Sequence, residues 1–247
     1  MALKPHSRLH RLLRCLPALL LSCLIPVALA APPKPAEVAV LSTLHTLHDD
    51  VPAYSRSALR ESILRLRPDV LCIEVRADRY AQRAKEATKV EYPDVVYPLI
   101  DAHRYRVHAM EPAPPRYDEI VGPYASAGRE FQARDPVAAS AFAAQTEALY
   151  ATLRAYWTNP SRVNDAVTDQ QMRAKHLLQE ALVGEGERAG WEAWNRHFLD
   201  VITSAAAAHP GKRIVVLVGA EHGYWLRERL AGRPRVRLLD TAALLAD

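Results

Sequence analysis

Val38-Ala-Val-Leu-Ser-Thr-Leu-His45, a polar stretch of helical period, and then Asp69-Val-Leu-Cys-Ile-Glu74 are the segments whose reading decides the fold. Two short apolar runs separated by a helical pattern indicate a βαβ unit. Parallel strands covered on both faces read as nearly continuous hydrophobic runs. In such sheets ligands sit outside the carboxyl ends of the strands, and His45 and Glu74 stand at two of those ends. Toward the C-terminus, Arg213-Ile-Val-Val-Leu-Val-Gly219 repeats the offering and runs into Ala220-Glu221-His222. The three segments are expected to converge on one site.

Working outward, the segment before Val38 is set aside as a targeting signal. Lys4, Arg8, Arg11 and Arg14 precede an apolar run from Leu16 to Leu29 that closes on Ala28-Leu29-Ala30, the pattern of a secretory signal peptide over 1–30. The run is too short, and too interrupted by Pro17 and Pro26, for a membrane span of roughly 20 apolar residues. The expected location is therefore periplasmic or secreted, with no transmembrane helix in the mature chain. A lipoprotein anchor at Cys23 fits less well, because the apolar run continues past it to Leu29. Residues 31–37, with Pro32, Pro33 and Pro35, read as an extended tether.

Four of the 32 basic residues and none of the 28 acidic ones lie in 1–30, so the remainder carries 28 against 28. A neutral chain with no basic stripe gives no pointer to a nucleic-acid partner, and the partner expected is a small-molecule or peptide substrate. Cys72, the one cysteine after residue 30, reads as a buried apolar side chain that leaves the fold to be held by its core. About 217 residues suffice for one such domain.

The expected fold is α/β over 38–247: a mostly parallel central sheet of about five strands flanked by helices, with a helical insertion or lid at 116–190 between strands three and four. Strand three, Arg106 to Met110, ends on Glu111; strand four is Ile214 to Val218; strand five ends on Asp240. Ser55 or Ser57, Asp135 before Pro136, and Asp240 are expected helix caps. Within the insertion, Phe142, Leu149, Leu153, Trp157, Leu177 and Leu178 are expected to pack, and Gly219 to permit a sharp strand-to-helix turn.

Two imidazoles and a carboxylate at neighbouring strand ends can ligate a divalent metal such as Mn, Co or Zn, whose bound water ionises near neutral pH. The same groups can do metal-free acid–base chemistry, with His taking a proton from water and Glu orienting it. The bland alternatives are an ion pair of Glu74 with Arg76 or Arg79, a turn cap for Glu111, and ordinary loop or packing roles for His48, His103, His108 and Glu221. No Gly-x-Ser-x-Gly elbow, His-Glu-x-x-His helix or phosphate loop is present.

Ser42-Thr-Leu-His45, Glu74 with Arg79, and Gly219-Ala-Glu-His222, with Trp194-Asn195-Arg196 before the last, resemble the motifs of the TraB/GumN/Tiki/erythromycin-esterase/ChaN-like superfamily: a Gly-x-x-His, a strand-end Glu followed by Arg, and a second Gly-x-x-His. Ser42 stands where the first motif has glycine. The resemblance implies a catalytic or metal-binding centre of His45, Glu74 and His222, with Arg79 and Arg196 as supports or anion contacts and Glu111 nearby. It implies an exported hydrolase acting on a peptide, ester or lactone bond. The alternative is a non-catalytic protein similar to ChaN, in which His222, His45 or Tyr224 contacts haem or another small molecule.

Overall fold

The computed structural model describes residues 33–246, so the expected signal peptide and the Cys23 anchor lie outside the described residues. Five strands, β1 (Ala36–Thr43), β2 (Val70–Arg76), β3 (Arg106–Glu111), β4 (Arg213–Gly219) and β5 (Val236–Leu238), form one sheet in the order β3-β2-β4-β1-β5. Every pairing is parallel. Because β1 already begins at Ala36, the expected tether is shorter than 31–37.

The three inner strands, β1, β2 and β4, form where the chain offers a run buried on both faces, while the edge strands β3 and β5 are only partly buried. From Val38 to Leu41 and from Ile214 to Val218 every side chain is buried, as parallel strands between two helical layers require. Helix α1 (Arg56–Leu66) begins at a Ser55 cap whose hydroxyl accepts from Ala58 N–H, and stops at Arg67 in the left-handed region, φ 49°. It buries Leu59, Ile63 and Leu66, an i, i+4, i+7 face. A short helix α2 (Ala77–Ala81) and then α3 (Tyr97–His103), entered through a π turn at Tyr92–Val96, lead into β3.

Between β3 and β4 come α4 (Arg116–Arg134), α5 (Pro136–Tyr156), a short α6 (Pro160–Val163), α7 (Ala166–Val183) and α8 (Glu185–Ala208). The helical excursion thus runs to 208 rather than 190, and α8 packs on β1, β2, β3 and β4. It is the crossover helix of a β3-to-β4 connection as well as the end of an insertion. Asp135 caps α5 through Ala138 N–H at 2.9 Å, and Trp157 and Leu153 are buried as expected. Leu177 is not: it is 58% exposed, and the buried position of that turn of α7 belongs to His176. A run of Leu177-Leu178 gives no phase by itself, and the helix presents the neighbouring residue inward.

Helix α9 (Ala220–Leu230) follows β4, and α10 (Thr241–Leu245), capped by Asp240 through Ala243 N–H at 2.9 Å, closes the chain. Strands β1 and β2 continue toward β3's side of the sheet while β4 continues toward β5, so their following helices pass to opposite faces. A crevice therefore opens at the carboxyl end of β4, between β1 and β2. None of the helices among the described residues is long and apolar enough to cross a membrane.

Leu217, wholly buried in the middle strand, tests this arrangement. Leu217→Ala is expected to lower unfolding free energy by about 3 kcal/mol in a denaturant titration, the usual cost of a core truncation.

Candidate functional site

The parallel register brings the three expected segments to one rim. Thr43 pairs with Gly219 across β1 and β4, and Ile73 with Leu217 across β2 and β4, so His45, Glu74 and Gly219–His222 leave adjacent strands at the same height. On β2 the register against β3 shifts between Ile73 and Arg76, where three steps oppose two from Ala109 to Glu111, and Glu74 and Val75 are both buried. One carboxylate oxygen of Glu74 accepts the Gly219 N–H at 2.6 Å. The other lies 3.2 Å from the Lys89 ammonium and 3.9 Å from His45 Nε2.

His45 sits in the left-handed region at φ 52°, a conformation costly enough for a non-glycine residue that its surroundings must hold it. Its Nδ1 donates to the fully buried Glu91 carboxylate at 2.7 Å, which leaves Nε2 as the free nitrogen. Gly219 has φ −53°, so no special turn demands glycine there. The reason is space: a Cβ at Gly219 would stand 2.7 Å from His45 Nε2. Ser42, by contrast, points away from the site. Its N–H donates to Asn164 Oδ1 and its hydroxyl accepts from Arg227, so the absent first glycine costs the centre nothing.

His222, third in α9, donates from Nδ1 to Asn195 Oδ1 at 2.8 Å and lies nearly parallel to Trp191, ring centroids 4.6 Å apart. Its Nε2 remains available. Lys89 completes the centre, donating to the Glu74 carbonyl at 2.9 Å and pairing with Glu111. Tyr92 anchors the same turn, its phenol accepting from Glu74 N–H and donating to the Leu217 carbonyl.

Two cavities meet at Glu221 and His222. One, of about 390 Å³, is walled by Ile120, Val121, Tyr124, Trp191 and Trp194, with Glu74, Lys89 and Glu111 on its polar side. The other, of about 290 Å³, is lined by Thr43, His45, Thr88, Tyr150 and Gly219. Gly190 lets α8 approach α4 here, since a Cβ would fall 2.4 Å from the Tyr124 ring.

The electrostatics divide the two histidines. Burial works against protonating His45, but the Glu91 hydrogen bond and the charges of Glu74 and Glu91 outweigh it and raise its pKa above 6.5. For His222 burial dominates, despite Glu74 and Glu221, and brings the pKa down to about 4. Burial alone would raise the Glu74 carboxyl; Lys89, His45, His222 and the Gly219 N–H reverse this and hold it at about 2. Lys89 is opposed by burial yet held above its ordinary value by Glu74 and Glu111, whose own carboxyl burial shifts upward.

Of the remaining expected residues, Glu111 reaches the centre through Lys89 rather than only capping a turn. Arg79 sits at the rim, 3.7 Å from Glu86. Arg196 does not reach the site: it is 62% exposed and pairs with Glu192 one turn away, because the face of α8 that meets His222 carries Asn195 instead. Tyr224 is buried against His176 and lines neither cavity. Glu221, assigned a surface or packing role from sequence, accepts from Tyr150 at 2.5 Å and from Lys175 at 2.9 Å, and carries a pKa well below normal, where His176 and Lys175 overcome burial. His48 is structural, accepting Leu44 N–H and donating to the Tyr54 carbonyl. Lys89 and Glu91 were missed because they occupy a charged stretch with no apolar period; the signal available was a lysine and a glutamate immediately before the aromatic, proline-led turn at Tyr92-Pro93.

The donor set does not fit a resident divalent metal. Among the described residues no three His, Cys, Asp or Glu side chains are grouped to hold one. The Lys89 ammonium, 3.2 Å from Glu74, already supplies the cation that a metal would bring to that carboxylate. Comparison of the chain with protein-family models, curated proteins and solved structures finds no match.

The split between the histidines has a thermodynamic consequence. An unfolded His222 takes up its proton near 6.5 and the folded one only near 4, so its contribution to stability is complete above 6.5 and lost as pH falls between them. His48 and His176, also lowered by burial, add slope of the same sign. His45, shifted upward, keeps its contribution throughout that window. The melting temperature is expected to fall from pH 6.5 to 4, less steeply in His222→Gln; equal slopes would show that His222 is not held neutral.

Proposed function

We propose that this chain is a hydrolase that activates water at His45, with Glu74 and His222 orienting the water and the substrate. The observation that carries the reading is the Glu91–His45 pair, a buried carboxylate 2.7 Å from Nδ1 that aims Nε2 across a 3.9 Å gap at Glu74. A carboxylate that orients a histidine, whose second nitrogen faces a cavity, is the arrangement of a general base. A gap of that length between two acceptors suits a bridging water.

In this mechanism the water gives a proton to His45 Nε2 while its oxygen bonds to the carbonyl carbon of an ester, lactone or amide. The positive charge gained by His45 is balanced by Glu91 and Glu74. Lys89, 3.2 Å from Glu74, offers a cation beside the centre for the carbonyl oxygen as it becomes negative. Collapse breaks the bond to the leaving alcohol or amine, which takes the proton back from His45. His222, held neutral by burial, offers Nε2 as a hydrogen-bond acceptor. No step is routed through a metal, and export to the periplasm or beyond remains part of the proposal through the resemblance of residues 1–30 to a signal peptide.

A second reading, binding without chemistry, draws on the Trp191–His222 stack beside the larger cavity. In that reading His222 would hold the haem, and an absorption scan after haem addition would show a Soret shift lost in His222→Ala.

The hydrolase reading is tested with a panel of aryl esters, lactones and peptides. His45→Ala is expected to lose about two to four orders of magnitude in kcat/KM, the usual worth of a general base. A metal chelator is expected to leave the rate unchanged. Activity should rise with pH along a limb above 6.5, the base form of His45 being the active one. Glu91→Gln should move that limb to lower pH, because a carboxylate no longer favours the cation. An unshifted limb in an active Glu91→Gln variant sinks the assignment of His45 as the base.

A further inference from the structure

The larger cavity does not end at the aromatic wall. It shares Lys89, Glu111 and Trp194 with an open, polar recess lined by Arg76, Arg79, Lys85 and Glu86. The two spaces therefore adjoin along these three residues, and together are treated as one trough. Its inner part is apolar, formed by Ile120, Val121, Trp191 and Trp194, and its outer part is cationic. The aromatic surface is continuous between them: Trp194 meets Tyr117 edge-on at 5.7 Å, and the Arg76 guanidinium lies 5.1 Å over the Tyr117 ring.

The cations of the recess are not equally committed. Lys89 is held between Glu74 and Glu111, and Arg76 is gripped by both oxygens of Asp78, at 3.0 and 2.7 Å. Arg79 keeps Glu86 at 3.7 Å, beyond hydrogen-bond range, with its side chain 39% exposed, and Lys85 is exposed. With Asp78 and Glu74 counted beside Glu86 and Glu111, four carboxylates face Arg76, Arg79, Lys85 and Lys89, and Arg79 and Lys85 are the two cations least committed. Two loosely held cations beside an apolar slot match a ligand that is hydrocarbon or aryl at one end and anionic at the other. Arginine, with a planar fork of donors, suits a carboxylate in particular.

Resting on the reading of the His45–Glu74–His222 centre as the reacting end of this trough, we propose that the substrates are amphiphilic carboxylates: an apolar body lies against Trp191 and Trp194, and a carboxylate is held by Arg79 and Lys85. The anion anchor then sets orientation. With the charged end fixed at the rim, the apolar body lies along the wall that Glu74, Lys89 and His222 face, and a bond within reach of His45 is presented in one sense only.

Binding measured by calorimetry separates this from the chemistry. The probes are 4-phenylbutanoate, the neutral 4-phenylbutan-1-ol and the cationic 4-phenylbutylamine, with the full chain and with an Arg79→Ala/Lys85→Ala double variant. Lys85 is exposed and Arg79 half-buried at the rim with no hydrogen bond to Glu86, so the variant is expected to fold as the parent does. The acid is expected to bind about tenfold tighter than the alcohol, the amine weakest, and the double variant to bring acid and alcohol within about twofold of each other while the alcohol's affinity stays the same. Equal affinities in the parent, or a preference for the acid that survives the double substitution, overturns the proposal. Because the readout needs no turnover, the acid-to-alcohol ratio is expected to persist in His45→Ala. A chain inactive on every ester, lactone and peptide but with the ratio intact would overturn the hydrolase reading alone; an active enzyme with a ratio of one would overturn the carboxylate anchor alone.

Discussion

The rim of the sheet depends on a buried carboxylate. Glu74 ends β2 with one oxygen on the Gly219 N–H, tying β2 to the end of β4, and the other on Lys89. A carboxylate taken out of water without partners is among the costliest groups a core can hold. Its partners are therefore structural requirements. Lys89 must stay near, so the segment 89–92 is drawn across the sheet edge, and Tyr92 and Glu91 arrive with it. Glu91 then orients His45. The positioning of the His45 imidazole thus follows from satisfying the Glu74 charge.

The site is built from opposite solutions to one problem, the placing of an imidazole beside a buried anion. His45 takes up its charge preference from two carboxylates and is pushed toward the cation. His222, boxed by Trp191 and Phe198 and hydrogen-bonded to a neutral amide, is pushed toward the neutral form. Two histidines with separated pKa values can divide base and hydrogen-bonding roles without exchanging them. Behind them a second charged cluster, Glu221 with Tyr150, Lys175 and His176, joins the first turn of α9 to α5 and α7. The helical excursion is consequently attached to the site by polar contacts, and α8 supplies its aromatic wall.

Much of this was legible in the chain. The apolar runs ending in His45, Glu74 and Glu111 and the run into Gly219–His222 identified the strands, their parallel character and the rim on which the reactive groups lie. Capping by Ser55, Asp135 and Asp240 followed from local chemistry. Arg196 was read one residue off, because sequence spacing on a 24-residue helix does not say which face meets the sheet, and that phase belongs to Asn195. Gly219 was expected for a turn and serves instead to make room for an imidazole supplied by another strand.

The sequence by itself determined what is local or periodic: two-faced burial of strands, helix starts, and the delivery of titratable groups at strand ends, since each is dictated by neighbours within a few positions. Only the tertiary structure decided which of those groups meet. Strand order placed β4 between β1 and β2, and so set Gly219 against His45 and Glu74. That order, the entry of Lys89 and Glu91 from a charged loop, and the aromatic wall of α8 arise from pairings between residues far apart in the chain. They are governed by the desolvation of one carboxylate and the packing of helices on opposite faces, which no local pattern encodes.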